Sequence, residues 1–128
     1  MVKLIILIKR RPDITHAEFR DRYERHASLA LNYLKDVLID YRRSYPVKEH
    51  PYMSAETGIE PSQFEYDVVT EMRLRSKEDL NVLFSILAEP KVKEVIRADG
   101  ETFQDPTSIR ILVCEEERSK LSDDTVTF

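Results

Sequence analysis

Five consecutive apolar residues near the start, Leu4-Ile5-Ile6-Leu7-Ile8, constrain this chain more than any other feature. A strand with one face in water alternates apolar and polar side chains. This run, inside a predicted strand from Val2 to Lys9, does not alternate, and so predicts burial on both faces. One layer of helices covers only one face of a small sheet. The other face needs a second cover, and a second copy of the chain is the economical one. A homodimer is therefore expected. The run is far too short to span a membrane. Lys9-Arg10-Arg11 also follow it where a signal peptide would carry small residues, so no membrane partner is expected.

The rest of the chain supplies the helical layer. Arg11-Pro12-Asp13 closes the strand, and Thr15 with Glu18 three residues on predicts a capping box. The helix that follows is expected to reach Tyr33 or Leu34. Phe19, Tyr23, His26, Ala27, Ala30 and Leu34 form its inward stripe, with Asp21, Glu24 and Arg25 largely off it. A second strand is predicted over Val37–Tyr45, with Ile39, Tyr41, Arg43 and Tyr45 on one face and Asp40 on the other. A third is predicted over Tyr66–Leu74. Ser76 and Asp79 open a second helix with Leu80, Leu83, Phe84 and Leu87 as its stripe. Glu89-Pro90 breaks that helix, and a short helical piece with Val92, Val95 and Ile96 ends at Gly100. A last strand is predicted over Ser108–Glu115.

This β-α-β-β-α-β order is the ferredoxin-like α+β pattern, with two helices on one face of a four-stranded antiparallel sheet. A second copy on the other face would make a dimeric α+β barrel. The domain is expected to span 1–116. Residues 46–65 form a long connection without periodicity, of the kind that serves as a functional cover. Residues 117–128 form a charged tail.

Composition excludes several function classes. With 2 glycines among 128 residues, phosphate-cradling glycine loops are out of reach. Cys114 is the single cysteine, which excludes an internal disulfide or a multi-thiolate zinc site and suits a reducing cytoplasmic compartment. The net charge of −4 argues against nucleic acid as the main partner. Residues 1–50 nevertheless carry 11 Lys/Arg against 7 Asp/Glu, a local excess that favours an anionic small molecule. His16 and His26 lie ten residues apart, so their helical faces differ by about 80°, and no His-x-x-x-His pair occurs. No metal is expected.

His26 is the residue best suited to chemistry. It sits on the inward stripe one turn past Tyr23, and imidazole is the natural proton shuttle near neutral pH. The same position also suits a core histidine bonded to a carbonyl or a tyrosine. Tyr41, Arg43 and Tyr45 share a strand face and are expected to point toward His26, where a phenol and a guanidinium could hold an enolate or a carboxylate. Each also fits an ordinary strand position. Tyr52, with His50 and Met53, lies in the long connection, where a loop aromatic beside a pocket can act as a lid over the substrate; the same residues also fit a solvated loop. His16 is expected to be exposed at the helix start, Asp99 and Asp105 to brace the turn before the last strand, and Cys114 to be a small core residue.

Several segments resemble the EthD family of dimeric α+β barrel proteins. They are Leu4 to Pro12, then Thr15-His16-Ala17-Glu18-Phe19-Arg20, then Tyr23-Glu24-Arg25-His26-Ala27-Ser28-Leu29-Ala30. Asp67 to Met72 resembles the family's third strand, and Arg97 to Asp105 its Ala-Asp-Glu-Glu turn, with Gly100 in place of an acidic residue. Ser28 stands where the family usually has proline. Tyr41-Arg42-Arg43-Ser44-Tyr45 looks like the second strand of the fungal polyketide branch. The resemblance implies a cofactor-free lyase, a decarboxylase or dehydratase/cyclase, acting on an aromatic polyketide-like carbonyl intermediate. It carries the family histidine onto His26. The expected roles are His26, Tyr41 and Tyr45 in catalysis, and Tyr23, Phe19, Arg43 and Tyr52 in substrate binding. A non-catalytic metabolite-binding or accessory protein is the alternative, and a cofactor-free monooxygenase the third reading.

Overall fold

The first strand, β1 (Val2–Ile8), lies inside a four-stranded sheet rather than at its edge, and that position accounts for its sequence. The structure, a computed structural model, describes residues 1–47 and 64–122. After β1 come α1 (His16–Leu34), β2 (Asp40–Ser44), β3 (Val68–Leu74), α2 (Lys77–Ala88), α3 (Pro90–Gly100) and β4 (Arg110–Glu115). The strand order is β2-β3-β1-β4, with every neighbouring pair antiparallel. This is the ferredoxin-like α+β fold: a four-stranded antiparallel sheet with three helices. Tyr52, His50 and Met53, and with them the candidate lid, lie outside the described residues.

Register sorts the side chains. Opposed residues of an antiparallel pair share a face. Leu4 faces Met72, Ile8 faces Val68 and Val2 faces Leu74, and all six are buried under the helices. Leu4 packs with Ala30, Leu34 and Leu83 in one cluster, and Ile8 with Phe19, Tyr23 and Phe103 in a second. The opposite, open face carries Ile5, Leu7, Val69 and Leu112 in one half. Its other half is ionic. Lys3 lies 2.7 Å from Glu116 and 3.2 Å from Glu71, and Arg73 reaches both Glu116 and Asp40 at 2.9 Å. Hydrogen bonds from Arg73 and Lys3 hold the Glu116 carboxyl down to about 2.

Local chemistry sets the helix ends. The Thr15 side chain accepts from Glu18 N–H at 3.1 Å, and Ser76 accepts from Asp79 N–H at 3.2 Å. The expected box on α1 closes differently: the Thr15 hydroxyl donates to the Glu18 carboxylate at 3.2 Å. Pro90 opens α3, and the Glu89 side chain caps it. Gly100 ends α3, as expected, and is buried. A Cβ there would come within 2.5 Å of Gln104 Nε2, so the end of that side chain would have to move.

The strands are shorter than their patterns suggest. Val37 and Leu38 spend their N–H groups on Leu34 at the end of α1, so β2 starts at Asp40. Ser108 closes a turn onto Asp105, so β4 starts at Arg110. Because β4 is an edge strand, Ile111, Leu112 and Val113 are all exposed, and so is Phe84 on α2. No helix among the described residues is long and apolar enough to cross a membrane.

Candidate functional site

The stripe of α1 delivers its aromatic residues to one place. Phe19 and Tyr23 lie one turn apart with ring centroids at 5.6 Å, and Phe103 stands edge-on to both. Beneath them the Tyr23 phenol and the Thr70 hydroxyl on β3 are 2.6 Å apart, both fully buried. Burial pushes the Tyr23 phenol up to about 12. This cluster fills the space between α1 and the sheet and fixes what lies on either flank of it.

On one flank stands His26. Its ring packs edge-on to Phe103 at 4.9 Å and against Tyr23 at 5.9 Å. Its Nδ1 is 2.7 Å from Asp99 Oδ2 on α3. The side chains are 14% and 37% exposed, so the pair is sheltered but reachable. A carboxylate only accepts, so Nδ1 is the donor, and in the neutral imidazole Nε2 then carries the lone pair. Nε2 has no hydrogen-bond partner among the described residues, and it is not among buried unpaired atoms. Asp99, expected only to brace a turn, is thus the partner of His26. A polar depression of about 450 Å³ opens beside it, lined by Arg22, Arg25, Asp99 and Thr102.

On the other flank, Arg43 and Tyr45 do face α1, but they gather on Glu24 rather than on His26. Arg43 grips the Glu24 carboxylate with two donors at 2.9 and 2.8 Å, and the Tyr45 phenol donates to it at 2.6 Å. The Arg43 fork holds the Glu24 carboxyl down to about 2 and raises the guanidinium in return. Burial holds the Tyr45 phenol above its ordinary value, and Tyr41 likewise. The physical reason for the redirection is charge. Glu24 lies off the apolar stripe, so it meets the one cation on the inner face of β2 before the imidazole can. Tyr41 packs against the Arg43 guanidinium at 5.0 Å, and its hydroxyl has no protein partner among the described residues.

A groove of about 550 Å³ runs along this second flank. Phe19, Tyr45 and Pro46 form its apolar wall, and His16, Arg20 and Asp67 its polar rim. His16 is exposed as expected, yet its Nε2 is 3.2 Å from Asp67, whose side chain is only 9% exposed. Of the residues singled out in the sequence, Phe19, Tyr23, Arg43 and Tyr45 come together here, His26 sits across the aromatic cluster, and Tyr52 lies outside the described residues. Sequence reasoning missed Glu24, Thr70, Phe103, Arg20 and Asp67. Among the described residues, no group of three or more His, Cys, Asp or Glu side chains could hold a metal ion.

Comparison with known proteins follows the same lines. Residues 11–107 match the family model described as the EthD domain. No curated protein sequence matches. An ethyl tert-butyl ether D (EthD) family protein from Bacillus halodurans superposes with a TM-score of 0.60 at 20% identity, covering 91% of this chain and 99% of its own. A dimeric protein of unknown function with a ferredoxin-like fold from Bacteroides fragilis gives 0.56 at 11% identity, covering 90% and 95%. A candidate antibiotic biosynthesis monooxygenase from Deinococcus radiodurans gives 0.56 at 14% identity, covering 94% and 97%.

Proposed function

The chain belongs to the EthD family, and from that premise we propose that it is a cofactor-free lyase with His26 as proton shuttle. The observation that carries this is the Asp99 carboxylate 2.7 Å from Nδ1 of an imidazole whose Nε2 is free. Asp99 sits on a different helix and acts as a positioning residue: it selects the tautomer and aims the ring. The neutral His26 then removes a proton alpha to a carbonyl at Nε2, or the imidazolium delivers its Nε2 proton to carbon after carbon dioxide leaves. The substrate class is an aromatic, polyketide-like carbonyl compound, as in the fungal branch that Tyr41-Arg42-Arg43-Ser44-Tyr45 resembles. Tyr41 keeps a hydroxyl without a protein partner among the described residues, but it stands with Arg43 on the flank away from His26. Tyr45 and Arg43 are committed to Glu24 and hold the end of β2 in place, while Phe19 and Tyr23 lie in the buried cluster that backs the His26 ring.

The working unit is a homodimer joined through the open sheet face. Ile5, Leu7, Val69 and Leu112 on that face support this, as does the dimeric Bacteroides fragilis neighbour. The unpaired Cys114 suits a cytoplasmic setting.

The test is metabolite profiling of a producing host carrying the wild type, His26→Ala or Asp99→Asn. General acid–base catalysis is worth about 10²–10⁴-fold, so His26→Ala should accumulate an intermediate. An intermediate heavier than the product by carbon dioxide marks a decarboxylase, and one heavier by water a dehydratase. Turnover within about threefold of wild type removes His26 from the mechanism and leaves a metabolite-binding or accessory protein. The likeness to the Deinococcus radiodurans protein favours a second reading, oxidation of a reduced phenol; oxygen uptake by the purified protein separates it from a lyase.

A further inference from the structure

Arg20 is unusual among the arginines of this chain. Arg22 donates to the Thr102 carbonyl, Arg10 to the Ile14 carbonyl, Arg43 to Glu24 and Arg73 to Glu116. Arg20 is the arginine that, among the described residues, makes neither a hydrogen bond nor an ion pair with the protein. Its guanidinium instead lies over the Tyr45 ring, 4.5 Å from the centroid. That contact holds the group beside the ring, and its N–H donors have no protein acceptor among the described residues. The position is on the rim of the 550 Å³ groove, a volume within the range of small-molecule sites.

The neighbouring carboxylates do not use Arg20. Glu24, one turn further along α1, feels its charge but gives its oxygens to Arg43 and Tyr45. Asp67 accepts from the Arg10 backbone N–H at 2.8 Å and lies against His16. An uncommitted guanidinium beside an apolar wall of Phe19, Tyr45 and Pro46 matches a planar ring that carries a carboxylate.

We propose that this groove is an anchoring site for a small aromatic carboxylate, with Arg20 taking the carboxylate and the Phe19–Tyr45 wall taking the ring. The site goes beyond the lyase reading and does not depend on it. It contains none of the His26–Asp99 pair, and its readout is binding, not turnover.

The experiment is calorimetric titration of the full chain with 2-naphthoate and with its neutral isostere 2-naphthamide. The wild type should bind 2-naphthoate saturably, and Arg20→Gln should weaken that binding about tenfold or more, the usual worth of a hydrogen-bonded charge. The amide should bind weakly and equally to both. Arg20 is exposed, so the variant keeps its fold, and a matched urea midpoint confirms that. Arg75→Gln, an exposed arginine outside both the groove and the depression beside His26, should leave 2-naphthoate affinity unchanged. Equal affinity of wild type and Arg20→Gln overturns the proposal. So does an equal loss in Arg75→Gln, which would reflect net charge alone, or the lack of saturable binding below about 1 mM.

Discussion

The hydroxyl pair beneath α1 makes a sharp test of how this fold is held. Tyr23 and Thr70 are 2% and 0% exposed, and their oxygens are 2.6 Å apart. Each hydroxyl is the other's hydrogen-bond partner. Removing one leaves the other buried and unsatisfied, which costs about 1–3 kcal/mol. Tyr23→Phe should therefore destabilise by that amount, and so should Thr70→Val, which keeps the side-chain shape and the strand preference. The double variant orphans nothing and should lie within about 1 kcal/mol of wild type. The coupling between the two sites is the sum of the two single losses less that of the double variant, and so is about 1 kcal/mol or more. Urea unfolding at one fixed protein concentration measures it, because a dimer's stability depends on concentration. With a urea slope of about 1–3 kcal/mol/M, each single variant moves its midpoint by several tenths molar or more. Additive losses in the double variant would refute the reasoning, since they would mean the two hydroxyls have other partners.

The same pair predicts an alkaline response. Burial raises the Tyr23 phenol from 10.0 to about 12. Between those values the unfolded chain has shed a proton that the native chain keeps, so stability is fully present below pH 10 and declines as pH rises toward 12. The nominal worth is roughly 2–3 kcal/mol. Tyr41 and Tyr45 are raised by burial as well, so Tyr23→Phe should flatten this decline without abolishing it.

Two further outcomes follow from the helix contacts. Glu24 is held at about 2 against 4.5, so its contribution is present above pH 4.5 and lost as pH falls toward 2; its side chain is 42% exposed, which reduces that contribution to about 1 kcal/mol. Glu24→Gln should show a shallower acid loss than wild type by urea midpoints across that range. Thr15→Ala and Ser76→Ala each remove the acceptor of a helix N-cap and should cost about 1 kcal/mol each. The caps share no partner, so the two losses should add in the same assay.

What the sequence made legible was local or periodic. The unbroken apolar run of β1, the caps at Thr15 and Ser76, the stripe from Phe19 to Leu34 and the break at Glu89-Pro90 each declare themselves within a few residues. The patterns failed where a neighbour in space decided the matter. The Val37–Leu38 N–H groups went to the end of α1, which shortened β2. Phe84 and Ile111 fit apolar patterns but have nothing packed over them. Gly100, by contrast, ends α3 as its residue type suggests. For the site the failure was of one kind. Asp99 lies 73 residues from His26, and Glu24 faces a strand that follows it by 19 residues. No periodicity links such pairs.

Two polar groups thus sit on opposite sides of one aromatic cluster, and that placement has a mechanical consequence. Phe19, Tyr23 and Phe103 are buried and touch in pairs, so neither the His26 ring nor the Tyr45 ring can shift without repacking the core between them. A site supported in this way is held close to its working geometry. Both grooves also lie on the helix side of the sheet, because Arg43 lies opposite Thr70 and Tyr41 opposite Met72 on that face. The open face lies on the other side, with Lys3, Glu71 and Arg73. If the proposed homodimer forms through that face, it covers Ile5 and Leu7 without covering either groove. Dimerisation would then stabilise the sheet on which the aromatic cluster rests while leaving each protomer's His26 and Arg20 open to solvent.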